Sequence, residues 1–234
     1  RQSRVSNRTD NMEKTTIWYL LHFICNMMVI YLTFNDLKIC FTSQPECYDN
    51  TKFDSSALGL TAGLHTFHIV RDYKTLTIID WLHHLISSWF MTFIGVYYYH
   101  IPLWNCGTFF LCGLPGGIDY LLLFLYKIKK INKMTEKHIN VYLNNWIRLP
   151  GIIYSSAIMN YGYMNGHINI SLSLYFIGQF FTVFNAIYFA QRVTLNYGSY
   201  MNNEIKYDER IKRDLEEIDP NRVSFKLIIS NDRH

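Results

Sequence analysis

The sequence predicts an all-α fold: a polytopic transmembrane helix bundle of about six spans with both termini in the cytosol. Three observations predict it. Half of the 234 residues are hydrophobic, 17% are aromatic and only 17% are charged, against about a quarter charged in soluble domains. The charges gather in the first 15 residues, one central loop and the last 40 residues, leaving long apolar runs between them. Lys and Arg, finally, fall almost entirely on alternate connections.

A span of the hydrocarbon core needs about 20 mostly apolar residues at a helical rise of about 1.5 Å each. Six segments meet or approach this. The first, 16–34, reads "TIWYLLHFICNMMVIYLTF" and can serve as a signal anchor. The tail before it has no apolar stretch of its own. The second, 55–70, is short. The third covers 76–100, the fourth 106–126, the fifth about 145–164 and the sixth 168–190. All six are expected to be helical, because backbone polar groups in lipid must find partners within the segment. The domain reading is a cytosolic tail (1–15), a membrane domain (16–192) and a charged cytosolic tail (193–234). In the last, "NNEIKYDERIKRDLEEIDPNRVSFKLIIS" reads as a charged helix followed by an extended piece.

Of 22 Lys and Arg, 19 fall on the tails and on loops two and four, and two (Lys38, Lys52) on loop one. Arg148 is the remaining one. The positive-inside rule then places both termini in the cytosol. Cys40, Cys47 and Cys106 fall on the opposite side, where an oxidising compartment permits a disulfide whose pairing stays open. "NIS" at Asn169 is a glycosylation sequon that abuts the membrane. The net charge of +4 carries no basic patch interleaved with aromatics, so a nucleic-acid partner is set aside.

The polar residues inside the spans cluster at one depth. At helical rise, His83 and His84 lie roughly 10 to 12 Å from the cytosolic end of their segment, Asp119 about 12 Å, His22 about 9 Å, and His65 and His68 within about 8 Å. An Asp in lipid costs at least about 2.5 kcal/mol, and such groups normally face a bundle interior or a wet cavity. The pattern predicts a polar chamber opening to the cytosol. Asp80 stands three and four residues before His83 and His84, helical neighbours that it can orient as a base or nucleophile. The short connection before Asn105 makes the third and fourth segments antiparallel neighbours, which would let Asp119 hold the second histidine. Catalytic candidates are therefore His83, His84 and Asp119, with Asp80 as orienter. His65, His68 and Arg148 are binding candidates, although Arg148, in the first turn of its segment, can also snorkel to the headgroups. The same polar residues serve equally well as interhelical glue. In "CGLPGGIDY", Gly113 and Gly117 permit close helix approach, and Pro115 favours a kink before Asp119.

Other chemistries lack their residues. The histidine boxes of a membrane di-iron enzyme, the Cys/His spacing of a structural zinc site and a phosphate-binding Gly loop do not occur. No metal or cofactor is expected. Ser87 and Ser88 follow the two histidines at i+4 but lack a nucleophile elbow.

"HHLISSWF" followed by "GLPGGIDYLLLFLYK", with "FHIVRDY" ahead of them, resembles the TLC-domain family. That family includes the ceramide synthases, the translocating-chain-associating membrane proteins and smaller lipid-homeostasis proteins. His83, His84 and Asp119 match its His-His pair and second Asp, and Lys127 its closing Lys. Pro115 and Gly116 replace its His-Asp, and apolar residues such as Leu122 and Phe124 stand for its Leu-Glu. The resemblance, over about 16–192, implies an endoplasmic reticulum membrane protein that binds lipid or affects lipid composition. An acyl-CoA-dependent N-acyltransferase of ceramide-synthase type, with acyl-CoA as co-substrate, and a non-catalytic scaffold are the alternatives. Oligomeric state is not read from the sequence.

Overall fold

The computed structural model describes residues 2–218, apart from the side chains of 2–13, Ile79, His83, Ser87 and several between 204 and 218. Of the described residues 87% are helical, and none is in a strand. Helix α1 (Gln2–Thr42) carries the first predicted segment and runs eight residues past it. Pro45 then sits in the first turn of α2 (Gln44–Cys47), where a missing N–H costs nothing. The Cys40–Cys47 disulfide ties this corner down and resolves the pairing left open above. After a 3₁₀ turn at Asn50–Lys52 comes α3 (Ser56–Asp72).

A capping box opens the next rod. Asp80 Oδ2 accepts from the Thr77 N–H at 2.9 Å, and Thr77 Oγ1 accepts from the Asp80 N–H at 3.2 Å. The rod comprises α4 (Ile78–Leu82), a π-helical stretch His83–Phe90, α5 (Met91–Ile94) and a π-turn Gly95–Tyr99. Next follow α6 (Pro102–Thr108), a π-turn Phe109–Gly113 and α7 (Leu114–Lys127). The expected irregularity near Pro115 takes the form of that π-turn, which absorbs the interrupted ladder. Lys129, at φ 60°, ends α7 in the left-handed region, and the Lys130 N–H bonds the Leu125 carbonyl at 2.9 Å.

Asn132 Oδ1 caps α8 (Lys133–Leu143) by accepting from the Thr135 N–H at 2.7 Å. The helix continues through a π-turn, Asn144–Arg148, into α9 (Leu149–Met164). The fifth segment therefore begins well before residue 145. Its first turns are too polar to read as a span, yet Asn140, Leu143 and Asn144 are buried. Helix α10 is Leu172–Ile218. All six sequence segments are helical. Among the described residues three helices are long and apolar enough to cross a membrane: Lys14–Thr42, Pro102–Lys127 and Leu172–Asn203. By contacts, Arg1–Val193 form one compact unit and Thr194–His234 another. The extended piece expected at the C-terminal end lies outside the described residues.

Within the first unit α1 packs along α6 and α7. The small-residue pair faces α1: a Cβ on Gly113 would lie 3.4 Å from Val29 and one on Gly117 3.6 Å from Asn26. The apolar core sits where α1, α6 and α9 meet the connections, around Cys40, Tyr48, Tyr99, Leu103, Cys106 and Ile158. Tyr48 Oη donates to the Ile158 carbonyl at 2.9 Å and Tyr154 Oη to that of Cys40 at 2.8 Å. Asn105, fully buried, donates to Asp36 Oδ2 at 2.6 Å and to the Asp54 carbonyl at 2.8 Å. The third and fourth segments touch near their connection, where Tyr99 stacks on Trp104 at 4.5 Å.

Candidate functional site

Four histidines from three elements meet at the other end of the unit. His22 hangs one turn below Trp18, and its Nδ1–H donates to the Trp18 carbonyl at 2.8 Å. That bond fixes the tautomer and turns Nε2 towards His68, whose own Nε2 it meets. His65 and His68 share a face of α3 by their three-residue spacing. His65 Nδ1 lies 2.8 Å from Nδ1 of His84, at the start of the π-helical stretch. The His68 and His84 rings are 5.1 Å apart, so the four imidazoles form one contiguous group. Each N···N contact needs one donor and one acceptor, which requires at least one imidazole of each pair to be neutral. Among the described residues no three His, Cys, Asp or Glu side chains are placed to hold a metal ion.

These rings line a cavity of about 540 Å³ that also takes in Asp72, Asp80, Asp119, Tyr120, Asn140, Asn144 and Arg148. The sequence-predicted residues are thus gathered into one chamber, save His83, whose side chain lies outside the described residues. Asp80 serves the Thr77 capping box described above while lining the chamber. At its rim the Arg71 guanidinium bonds Asp72 at 2.6 Å and holds that carboxyl below the usual range, so Asp72 is ionised at neutral pH. Arg71 also covers Trp18, 3.4 Å from the ring centre. Trp18 in turn meets His68 in a tilted ring contact, centroids 4.1 Å apart, behind that wall.

Two expectations are corrected. Among the described residues Asp119 holds no histidine. Its Oδ1 accepts from Asn140 Nδ2 at 2.5 Å, because α7 packs on α1 and α8 while the histidines come from α1, α3 and the π-helical stretch. Arg148 does not snorkel: it is 9% exposed and points inward, since its helix starts well before it. The sequence reading missed what joins the two. Arg148 Nη1 donates to Asn144 Oδ1 (2.5 Å), Asn144 Nδ2 to Asn140 Oδ1 (2.6 Å), and Asn140 to Asp119. The chain of bonds follows the i, i+4, i+8 spacing of Asn140, Asn144 and Arg148, a signal present in the sequence. Arg148 Nε, also buried, has no partner among the described residues.

A second, smaller cavity of about 80 Å³ is lined largely by apolar groups, among them Leu58, Met91, Leu103 and Met159. Thr61, Leu111 and Cys112 line both cavities. Thr61 Oγ1 and Cys112 Sγ are 3.9 Å apart at that junction. A polar chamber therefore adjoins an apolar cleft. No family model matches the chain, and neither the curated proteins nor the solved structures contain a match.

Proposed function

We propose that the chain is a polytopic integral membrane protein that holds an amphipathic lipid, head group in the chamber and tail in the cleft. The observation that carries this reading is the shared wall of Thr61, Leu111 and Cys112, where polar lining gives way to apolar lining within one unit. A binding site that is mostly apolar with a few converging polar groups is what an amphiphile requires. The resemblance to the TLC-domain family supports the same class, a protein that affects membrane lipid composition. Six spans with both termini cytosolic fit the lopsided Lys and Arg distribution. That topology puts Cys40–Cys47 on the non-cytosolic side, as an oxidising compartment such as the endoplasmic reticulum requires.

The test is to purify wild type and Cys112→Trp in detergent and identify extracted lipids by mass spectrometry. One lipid class enriched over the surrounding membrane in wild type and depleted in the Trp variant is expected. Equal lipid profiles in both would sink the reading. Absence of lipid, with a lower folded yield for His84→Ala, would favour the scaffold alternative.

The His65–His84 contact favours one second reading, N-acyl transfer from acyl-CoA. There His84 or His83 would take the proton of an attacking amine while a neighbouring imidazole fixes its tautomer. Consumption of acyl-CoA with a bell-shaped pH dependence, abolished in His84→Ala, is its expected signature.

A further inference from the structure

We infer that the head group held in the chamber is an oxyanion, a carboxylate or phosphate, and that Arg148 is the residue that binds it. This rests on the proposed lipid-binding reading and names the ligand class of the same site. The guanidinium is nine-tenths buried and lines the chamber. Nη1 is engaged by a neutral amide, Asn144, and Nε has no partner among the described residues. Among the described residues no carboxylate is in ion-pair contact with it: Asp119 is reached only through two asparagines. An arginine cannot shed its charge, so a buried one without a counter-ion is costly unless something else supplies the negative charge.

The other acids of the chamber are already committed. Asp72 pairs with Arg71, Asp80 caps α4, and Asp119 accepts from Asn140. Phe189 lies against the guanidinium, 5.3 Å from ring centre to Cζ, and backs it. The Asn144–Asn140–Asp119 chain holds the Nη1 edge in place, so the guanidinium meets the chamber in a fixed orientation and offers its charge there. A planar fork of this kind suits a carboxylate or phosphate, whose charge-assisted bonds are about twice as strong as neutral ones.

The test measures saturation binding of four tritiated amphiphiles to the full chain in nanodiscs at pH 8, by scintillation proximity against empty nanodiscs. Palmitate is compared with methyl palmitate, and lysophosphatidate with monoacylglycerol. The expected result is at least about tenfold tighter binding of one acid than of its uncharged partner. The pair that discriminates identifies carboxylate or phosphate. Arg148→Gln should erase the preference by weakening binding of the acid to the level of its uncharged partner, and Arg148→Lys should restore part of it. Equal binding of acid and neutral forms to wild type would overturn the inference and leave the lipid chamber standing. No specific binding of any of the four would overturn both. The wild-type comparison decides the matter even if Arg148→Gln does not fold.

Discussion

The two ends of the 1–193 unit solve opposite problems. At the end of the connections, buried donors reach direct partners: Asn105 Nδ2 on Asp36, Tyr48 Oη on Ile158, Tyr154 Oη on Cys40, with Asn105 Oδ1 alone of these side chains left without one among the described residues. Packing there is tight, with Gly162 placed so that a Cβ would fall 2.4 Å from Tyr48. At the histidine end the helices stand around about 540 Å³ of space, and a buried Arg148 is left with a bare Nε. The contrast separates residues that hold the fold from residues held by it.

The comparison breaks most visibly at Asn105. Asn105→Ala strands the Asp36 carboxylate without its buried donor and should cost about 3 kcal/mol, read as a loss of thermal stability in detergent. Cutting the corner with Cys40→Ala should cost about 2 kcal/mol, since the disulfide closes a short loop. Gly151→Ala drives a methyl towards the Phe110 ring, 2.1 Å from Cδ1, and should cost about 1 to 3 kcal/mol by overpacking α9 against the π-turn Phe109–Gly113. At the chamber end the sign differs. Arg148→Met removes a buried charge that no carboxylate among the described residues contacts directly and should leave the melting temperature unchanged or raised, while lipid binding falls. A large loss of stability there would show the guanidinium to be structural and erase the distinction.

The smallest effect is electrostatic. Hydrogen bonds from Ser56 Oγ–H and N–H hold the exposed Asp54 carboxyl below its ordinary value. A carboxylate of lowered folded-state pKa stabilises above the ordinary carboxylate range and loses that contribution as pH falls through the folded value. Asp54→Asn should therefore lower the melting temperature slightly at neutral pH, where the carboxylate contributes, and flatten the acid-side decline.

The helices and the polar end were legible because both are written in composition. Apolar runs of span length fix helices, and an ionisable residue in such a run has to face inward, so His22, His65, His68, His84 and Asp119 could be assigned to one chamber from depth alone. Partners were not legible. Asp119 was read against the histidines because the connection before Asn105 is short, but α7 lies along α1 and α8, and only packing decides that. Arg148 was read at a helix end because polar residues 133–144 hid the start of its helix. The stripe of Asn140, Asn144 and Arg148 was visible as a four-residue period but carries no hydrophobic signal. Asp36 and Asn105 lie 69 residues apart, and no local pattern connects them.

The central claim, that chamber and cleft form one amphiphile site, is tested most directly by photolabelling. A fatty acid carrying a terminal diazirine would be added to the full chain in nanodiscs, irradiated, and its adducts mapped by peptide mass spectrometry. The account predicts adducts concentrated at the cleft residues Met91, Leu103 and Met159 and suppressed by excess unlabelled fatty acid or by Cys112→Trp. Adducts spread instead over outward-facing residues such as Tyr31, Phe180 and Phe184, and indifferent to competitor, would contradict it.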